Sequence, residues 1–250
     1  MFETMMKENI LKKFVTKYKY QLINLLAHIT FALYSLIFSY YFLITVVLGW
    51  IISNLFHYLY MHRIYTHRHF EVSSFWHKIG LWFFTSMNLG SPPVYASVHL
   101  KHHTYNGQEQ DPHDPNRTGI FKSLLSLWDD NFIPDRKTLS IYLKSNLSKW
   151  FHKNHLIISI FSALITPFII VVGFWMSKIV VILVHIKNIG YGINNENDTS
   201  RNVWWLKPIT WGEELHNNHH RYAARSNHNI SSSWKEFDLL YYIGKLISKK

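Results

Sequence analysis

The chain has 250 residues, 17 of them histidine, a formal net charge of +11 and no cysteine. Without cysteine there can be no disulfide, thiolate zinc site, cysteine-ligated iron–sulfur cluster or c-type haem attachment. A basic charge suits a nucleic acid, an anionic membrane face or an anionic substrate. No nucleic-acid-reading motif is recognisable, so no nucleic acid partner is expected.

The first long apolar block predicts a pair of membrane spans. Residues 22–61 contain no Asp, Glu, Lys or Arg. Such a stretch would form about 60 Å of helix, roughly twice the thickness of a bilayer core. We therefore predict spans at about 22–41 and 43–61, with a turn near Ser39, Tyr40 and Tyr41.

The second apolar block, residues 156–193, carries only Lys178 and Lys187 as charges. It predicts spans at about 157–174 and 177–193, joined by a turn over 173–178. The expected fold is an all-α integral membrane protein with four transmembrane helices in two hairpins. A cytosolic helical cap over about 62–153 and 196–250 completes a single domain, 1–250.

The distribution of basic residues predicts the orientation of the spans. Five lysines precede the first span, the middle segment and the tail are rich in Lys and Arg, and the two outer turns carry only Lys178. By the positive-inside rule, both termini and the middle segment face the cytoplasm. Attraction to anionic membrane lipid would then account for much of the net charge.

Three histidine clusters fall on that predicted cytoplasmic side, in "HRIYTH", "HLKHH" and "HNNHH". In an α-helix, positions i, i+3 and i+4 share one face, so each HxxHH motif directs three imidazoles the same way. His62 and His67 are five residues apart, about 140° out of register, so the chain is expected to leave helical geometry between them. Ser91 and Pro92 are typical of a helix start before the second cluster.

Eight convergent imidazoles exceed what one metal ion can hold, so the clusters indicate two metals; the alternative is three unrelated His-rich surface helices. Imidazole suits Fe, Zn, Cu or Ni. His185, inside the fourth predicted span, is a ninth candidate ligand because ionisable groups at that depth are usually functional. Zinc has no redox chemistry, so iron is favoured for oxidation of an apolar chain, although zinc could occupy the site after overexpression.

The three motifs together resemble those of membrane-bound fatty acid desaturases, in particular the Δ9 (stearoyl-CoA desaturase-like) branch. The matching stretches are "HRIYTHRHF", "GSPPVYASVHLKHHTYNGQEQDPHDP" and "DTSRNVWWLKPITWGEELHNNHH". The three stretches occur in the family's order and in the same placement relative to two apolar hairpins. The likeness extends from about Gly49 to Asp238. The four residues between the histidines of the first motif are typical of this branch, and His216 differs from the Gln of front-end desaturases.

The resemblance implies two Fe²⁺ ions held by a cytosolic cap, and O₂-dependent insertion of a double bond into a saturated fatty acyl chain. Nine histidines match the family's ligand positions: His62, His67, His99, His102, His103, His185, His216, His219 and His220. Electrons would come from an external ferredoxin or small b-type cytochrome with its reductase, docked at a basic face that includes Arg221 and Arg225. A hydroxylase or ketolase on the same scaffold, and a non-catalytic metal- or lipid-binding membrane protein, are the alternatives.

The chain departs from the family pattern at several positions. The Asn-Ser that precedes the fourth-span histidine is replaced by Val181 and Ile182, and Asn188 is a candidate to compensate. Glu213 matches the family and is expected to orient a ligand, whereas Glu214 is unexpected. An Asp129-Asp130 pair stands where acyl-CoA members have basic residues, which weakens the case for coenzyme A as the acyl carrier; coenzyme A, lipid and carrier protein all stay open.

Further residues are expected around the metals and the substrate. Asp111 and His113 are candidates to support the ligands. His69, His77, His152, His155 and His228 are expected to be solvated or to support ligands. Trp50, Asn54, His57 and Met61 recur on one face of the predicted second span. The resemblance implies a substrate tunnel along this face, with Trp50 as its floor and Asn54 one turn above.

Overall fold

The computed structural model describes residues 2–38, 40–112, 114–125, 133–186, 188–193 and 198–249. This part of the chain is helical, with isolated β-bridges and no β-strand. The α-helices are α1 (Phe2–Ile37), α2 (Tyr41–Ile52), α3 (Ser74–Ser86), α4 (Pro92–Tyr105), α5 (Pro115–Thr118), α6 (Ile120–Leu125), α7 (Arg136–Tyr142), α8 (Asn146–Ile165), α9 (Pro167–Leu183), α10 (Lys207–Thr210), α11 (His216–Arg221) and α12 (Leu239–Ile247). A π-helix covers Ser53–Thr66, and short 3₁₀ turns cover Trp204–Leu206 and Trp234–Glu236.

The first hairpin breaks between α1 and α2, in the region where the sequence places the turn; Ser39 itself lies outside the described residues. Two stretches are long and apolar enough to cross a membrane, Val15–Ile37 and Tyr41–Thr66. Their outward side chains, such as Leu33 and Leu43, are more than half exposed, as expected for a surface that faces lipid. The chain is therefore a membrane protein by the length and apolar character of these helices.

The second of these stretches changes geometry halfway. After Ile52 the helix widens, and at its end the His67 amide donates to the His62 carbonyl at 3.1 Å. Such i→i+5 bonds define a π-helix, a form associated with functional sites. The expectation that the chain leaves helical geometry between these histidines is wrong. The wider turn aligns residues five apart, and the two rings lie 5.0 Å apart.

The second apolar block bends at a different place from the one predicted. α8 and α9 meet at an angle of 109° around Thr166, and residues 173–178 lie inside α9. Pro167 explains the break, because a proline disfavours helical geometry in the residue before it and suits the first position of a new helix. The predicted spans 157–174 and 177–193 are therefore wrong in their bounds, since α9 ends at Leu183. The bent pair is one broken span or a re-entrant loop.

Helix packing brings the histidine-bearing segments together. α1 packs against α8 and α9, while α2 packs against α9, where a Cβ on Gly49 would stand only 2.8 Å from Val172 Cβ. The π-helix is flanked by α3, α4, α9 and α12. A large core fills this junction, with Leu59, Met61, Phe84, Met87 and Leu240 fully enclosed. The histidines of the π-helix, α4 and α11 therefore project from a rigid base.

Candidate metal centre

The predicted ligand histidines form two groups in the part of the chain that the structure describes. Within each group, one ring nitrogen per residue lies within 4.8 Å of all the others. The first group, the five-histidine cluster, contains His62, His67, His99, His103 and His219. The second group, the four-histidine cluster, contains His102, His185, His216 and His220.

The spacing of the ring nitrogens fits metal coordination. Nε2 of His99 lies 2.9 Å from Nε2 of both His67 and His103, and Nε2 of His219 lies 2.9 Å from that of His62 and 3.0 Å from that of His103. A nitrogen that meets two others at this distance cannot satisfy both as a neutral hydrogen-bonding imidazole in a fixed tautomer. Ligands at right angles around a metal, each about 2.0–2.1 Å from it, would stand about 2.9 Å apart.

The four-histidine cluster shows the same convergence. Nε2 of His220 lies 3.2 Å from that of His102 and 3.1 Å from that of His216. Nε2 of His185 is buried and has no hydrogen-bond partner among the described residues. An all-imidazole donor set with these separations is suited to a borderline transition metal such as iron or zinc.

Burial keeps these imidazoles in the form that binds metal. It lowers the pKa of His99, His103, His216, His219 and His220 well below the usual value, and neighbouring histidines lower each pKa further. A lowered pKa means that the ring stays neutral at pH 7, with a lone pair available. These five imidazoles are therefore favoured in the neutral form that a metal ion binds.

Several ligand candidates are held through their second ring nitrogen. His102 Nδ1 lies 2.7 Å from the fully buried Asp111 carboxylate. His62 Nδ1 lies 2.8 Å from Glu213, which also faces His216 Nδ1 at 3.8 Å and so stands between the two clusters. Such contacts fix the tautomer and the ring plane of metal-binding histidines. The sequence predicted both carboxylates, and the structure places each of them beside a ligand candidate.

The end of α9 shows how the chain accommodates the missing Asn-Ser. Nδ1 of His185 donates to the Val181 carbonyl at 2.8 Å, which leaves Nε2 for the cluster. Asn188 is exposed on the following loop, and no contact with the cluster is seen. The suggestion that it compensates therefore has no structural support. His113 and the Asp129-Asp130 pair lie outside the described residues.

Glu214, unexpected from the family pattern, closes the turn that presents Glu213. Its carboxylate accepts from the Thr210 hydroxyl at 2.6 Å and from the Gly212 amide at 2.7 Å. Trp211 has φ 56° and Gly212 φ 129°, so this turn is sharp. A carboxylate that accepts from both sides of the turn stabilises it.

A buried ion pair that the sequence reasoning missed ties the centre together. Arg63 lies next to His62, and its Nη1 donates to both carboxylate oxygens of Asp238, at 2.9 and 2.8 Å, while its Nη2 donates to the Gly212 carbonyl at 3.0 Å. Both side chains are fully enclosed. The pair joins the π-helix to the start of α12 and to the turn before Glu213. The available signal was that Arg63 follows almost directly on the charge-free stretch of residues 22–61, where charges are rare without a role.

One side of the centre reaches the surface. His67, His103 and His220 are partly exposed, whereas the other ligand candidates are buried. Directly after His220, Arg221 and Arg225 stand over the ring of Tyr222 at 5.3 and 5.9 Å. This exposed basic group therefore adjoins the open side of the four-histidine cluster.

The two predicted tunnel residues share a partner. The Trp50 indole donates to the Ile209 carbonyl at 2.7 Å, and the Asn54 amide donates to the same carbonyl at 3.0 Å. The Trp50 ring also packs edge-on against Trp211 at 5.1 Å. Both side chains thus connect the second membrane stretch to the segment that leads to Glu213. The predicted common face of Trp50, Asn54, His57 and Met61 assumes a continuous α-helix. The α-helix ends at Ile52 and the π-helix follows from Ser53, so α-helical spacing no longer relates these four residues.

A family model described as fatty acid desaturase matches residues 34–244, which include every histidine of both clusters. The chain belongs to the fatty acid desaturase family. A Delta-9 desaturase-like 2 protein of Arabidopsis thaliana is 30% identical over 200 residues, covering 73% of this chain and 65% of the relative. The Delta-9 acyl-lipid desaturase 1 of the same plant is 27% identical over 205 residues, with 74% and 65% covered.

A third desaturase, the sn-1 stearoyl-lipid 9-desaturase of Synechocystis sp., is 30% identical over 204 residues, with 75% of this chain and 62% of the relative covered. The resemblance to Δ9 desaturases seen in the motifs is thus confirmed. The chain spans about 65% of the length of the curated relatives that it matches.

Proposed function

We propose that this chain catalyses O₂-dependent desaturation of a saturated fatty acyl chain at a histidine-ligated di-iron centre. The observation that carries the proposal is the pair of clusters, five histidines and four, whose ring nitrogens converge at coordination distances in a member of the desaturase family. Two clusters suit two metals, and iron suits the redox task because zinc has none. Zinc bound after overexpression would be an artefact.

The overall reaction removes two hydrogens from neighbouring methylenes. With two electrons and two protons from outside, O₂ leaves as two molecules of water. Bound iron would supply the oxidising power. The nine histidines would hold it in place, while Asp111, Glu213 and the Val181 carbonyl keep three of their rings in the tautomer that binds metal.

Two of the relatives carry names that bear on the substrate, one as an acyl-lipid and one as a stearoyl-lipid desaturase. Together with the acidic pair where acyl-CoA members are basic, this favours a lipid-linked acyl chain and a Δ9 product. We propose that Trp50 and Asn54 lie along the tunnel for this chain, with Trp50 limiting its depth. Their shared contact with Ile209 would couple the tunnel wall to the turn that presents Glu213.

The electrons would come from a separate ferredoxin or small b-type cytochrome. An acidic donor would bind the exposed group of Arg221, Tyr222 and Arg225, which lies next to the partly exposed His220. We propose that this face, both termini and the metal centre lie on the cytoplasmic side, in accord with the basic residues that flank the apolar blocks.

Product analysis tests the function. The chain is expressed in a host that lacks its own desaturase, with iron and an electron donor supplied, and fatty acid methyl esters are analysed by mass spectrometry with double-bond localisation. We expect new mono-unsaturated chains, absent from a His103→Ala control. Hydroxylated or ketone products would indicate the related oxygenation chemistry instead. No product from the wild type, despite bound iron, would contradict catalysis and favour a metal- or lipid-binding role.

A further inference from the structure

A tenth histidine, His228, lies against the metal centre but belongs to neither cluster. It sits in the loop after α11, and its side chain is only 2% exposed. Its ring packs on the ring of His219, with centroids 4.7 Å apart and planes tilted by 32°. The ring of His69 approaches it edge-on at 6.0 Å. A residue expected to be solvated or supporting is thus buried in contact with a ligand candidate.

The backbone of His228 is fixed from two sides. Its amide donates to the Asp238 carboxylate at 2.9 Å, the same carboxylate that binds Arg63. Its carbonyl accepts from the side chain of Asn218 at 2.8 Å, and Asn218 lies in α11 beside His219. Buried hydrogen bonds of this kind are costly to break, so the ring stays against His219.

The ring nitrogens around His228 are buried without protein partners among the described residues. This holds for both nitrogens of His228, for Nδ1 of His219 and for Nδ1 of His69. Buried polar atoms are nearly always hydrogen-bonded, to protein or to ordered water. Three mutually contacting rings that carry four such atoms form a site polar enough for a bridging water, which needs two to four polar partners.

A metal-binding histidine normally donates its second ring N–H to an acceptor. His62, His102 and His185 have Glu213, Asp111 and the Val181 carbonyl in that role. Nδ1 of His219 is buried with no hydrogen-bond partner among the described residues. Two rings outside the clusters pack against His219, and that of His228 at 4.7 Å is nearer than that of His69 at 6.3 Å. The Nδ1 of His219, which lacks an acceptor, and the imidazole of His228, whose nitrogens have no partner among the described residues, therefore lie in neighbouring rings.

We propose that His228 is a positioning residue for His219. Its ring fixes the plane of the His219 imidazole, and a ring nitrogen receives the Nδ1–H of His219 through one ordered water, with His69 at the edge of the same site. His228 does not bind the metal itself. The inference rests on the proposed function to the extent that His219 binds a metal.

The test uses the full chain, purified in detergent and loaded with ⁵⁷Fe, and measures iron loss to a chelator alongside the Mössbauer spectrum. His228→Phe keeps an aromatic ring against His219 but removes both nitrogens. We expect iron to leave the five-histidine cluster about 10–100-fold faster, the usual effect of losing an outer hydrogen-bond partner. One of the two iron signals should change. His228→Gln, which retains an acceptor, should recover part of the loss.

Two controls separate positioning from general destabilisation. Asp111→Asn should accelerate iron loss from the four-histidine cluster instead. His155→Phe, in which a ring bonded to Tyr20 is replaced away from the centre, should change neither rate. An unchanged rate in a folded His228→Phe protein would overturn the proposal, as would equal acceleration from both clusters or a His228→Gln variant no better than the Phe variant. If the His228→Phe protein does not accumulate, iron loss is compared between the His228→Gln and Asp111→Asn variants. Each variant should then accelerate iron loss mainly from its own cluster.

The inference and the proposed function fail in different ways. Wild-type protein that binds two irons but makes no desaturated product would contradict the function and leave the role of His228 intact. Wild-type protein that cannot hold iron in the five-histidine cluster would contradict both.

Discussion

The two histidine clusters are built differently. In the four-histidine cluster, Nδ1 of His102 and Nδ1 of His185 donate to the Asp111 carboxylate and the Val181 carbonyl, and Nδ1 of His220 faces the Asn106 side-chain amide. Nδ1 of His216 is buried with no hydrogen-bond partner among the described residues. In the five-histidine cluster, His62 has Glu213, whereas Nδ1 of His219 is buried with no partner among the described protein atoms. Each cluster therefore contains one ring whose Nδ1 is buried without a hydrogen-bond partner among the described residues, His216 in one and His219 in the other. The His219 ring packs on His228 at 4.7 Å, whereas Nδ1 of His216 faces the Glu213 carboxylate at 3.8 Å. Corresponding ligand candidates are thus oriented by different means.

The strongest test of the comparison removes one ligand from each cluster. His219→Ala and His102→Ala should each abolish desaturation, because both metals are needed, while each protein keeps about one iron in the other cluster. Iron per chain and methyl ester analysis measure the two effects, and membrane fractionation checks insertion. His103→Ala and His220→Ala should behave like their cluster partners. Full activity in any two of these variants would remove the ligand assignment.

Outer-contact variants should then distinguish the clusters. Asp111→Asn should weaken metal binding in the four-histidine cluster by about 10–100-fold, the typical cost of changing a group that orients a ligand. Glu213→Gln should affect both clusters, since its carboxylate faces His62 and His216. Competition with a chelator measures the binding. Equal effects of Asp111→Asn on both clusters would show that Asp111 acts on the fold as a whole.

A smaller effect is expected on the exposed side of the four-histidine cluster. Replacing Arg221 and Arg225 by Glu should raise the KM for an acidic electron donor about tenfold at low salt, with kcat little changed, because rim charges act chiefly on association. Steady-state kinetics at two ionic strengths provide the measurement. Lys149→Glu with Lys153→Glu, on exposed positions of α8, is a charge-matched control. An unchanged KM in the arginine variant would place donor binding elsewhere.

The smallest expected effect concerns the tunnel, away from both clusters. Trp50→Ala should shift the preferred acyl chain to greater length, because a bulky side chain at the proposed floor is lost. The matched control is Trp175→Ala, which removes an indole of α9 that donates a hydrogen bond to His28 of α1. Product chain lengths in the desaturase-deficient host are compared. A folded Trp50→Ala protein with an unchanged profile would remove the tunnel-floor role alone and leave the indole as an anchor to Ile209.

Sequence patterns located the candidate metal centre but not the division of its histidines between two clusters. The HxxHH spacing places His99, His102 and His103 on one helix face. In the structure, His99 and His103 lie in the five-histidine cluster, whereas His102 lies in the four-histidine cluster. Spacing alone gives direction, and the assignment to clusters depends on how α4 meets the π-helix and α11. Glu213 was predicted through the family resemblance and Asp111 as a candidate to support the ligands, and the structure brings each beside an imidazole.

Local geometry set the limits of the sequence reasoning. A π-helix is rare and the sequence carries no signal that distinguishes it from an α-helix, so the five-residue spacing of His62 and His67 predicts a loss of helix between them. In the second apolar block, hydropathy pointed to a turn at the glycine and lysine of 173–178, while the backbone restriction of Pro167 decides the bend. Arg63 and Asp238 are 175 residues apart, a separation at which sequence spacing carries no information. The same holds for His69 and His228, whose rings approach each other across a similarly long stretch of chain.

The most direct test of the account is the metal content of the wild-type protein. The purified chain is loaded anaerobically with ⁵⁷Fe²⁺, the bound iron is counted per chain, and Mössbauer spectra are recorded before and after His219→Ala and His102→Ala substitution. The account predicts two irons with separate signals, one lost in each variant. A single iron, or two signals that both survive either substitution, would contradict a di-iron centre built from these two clusters.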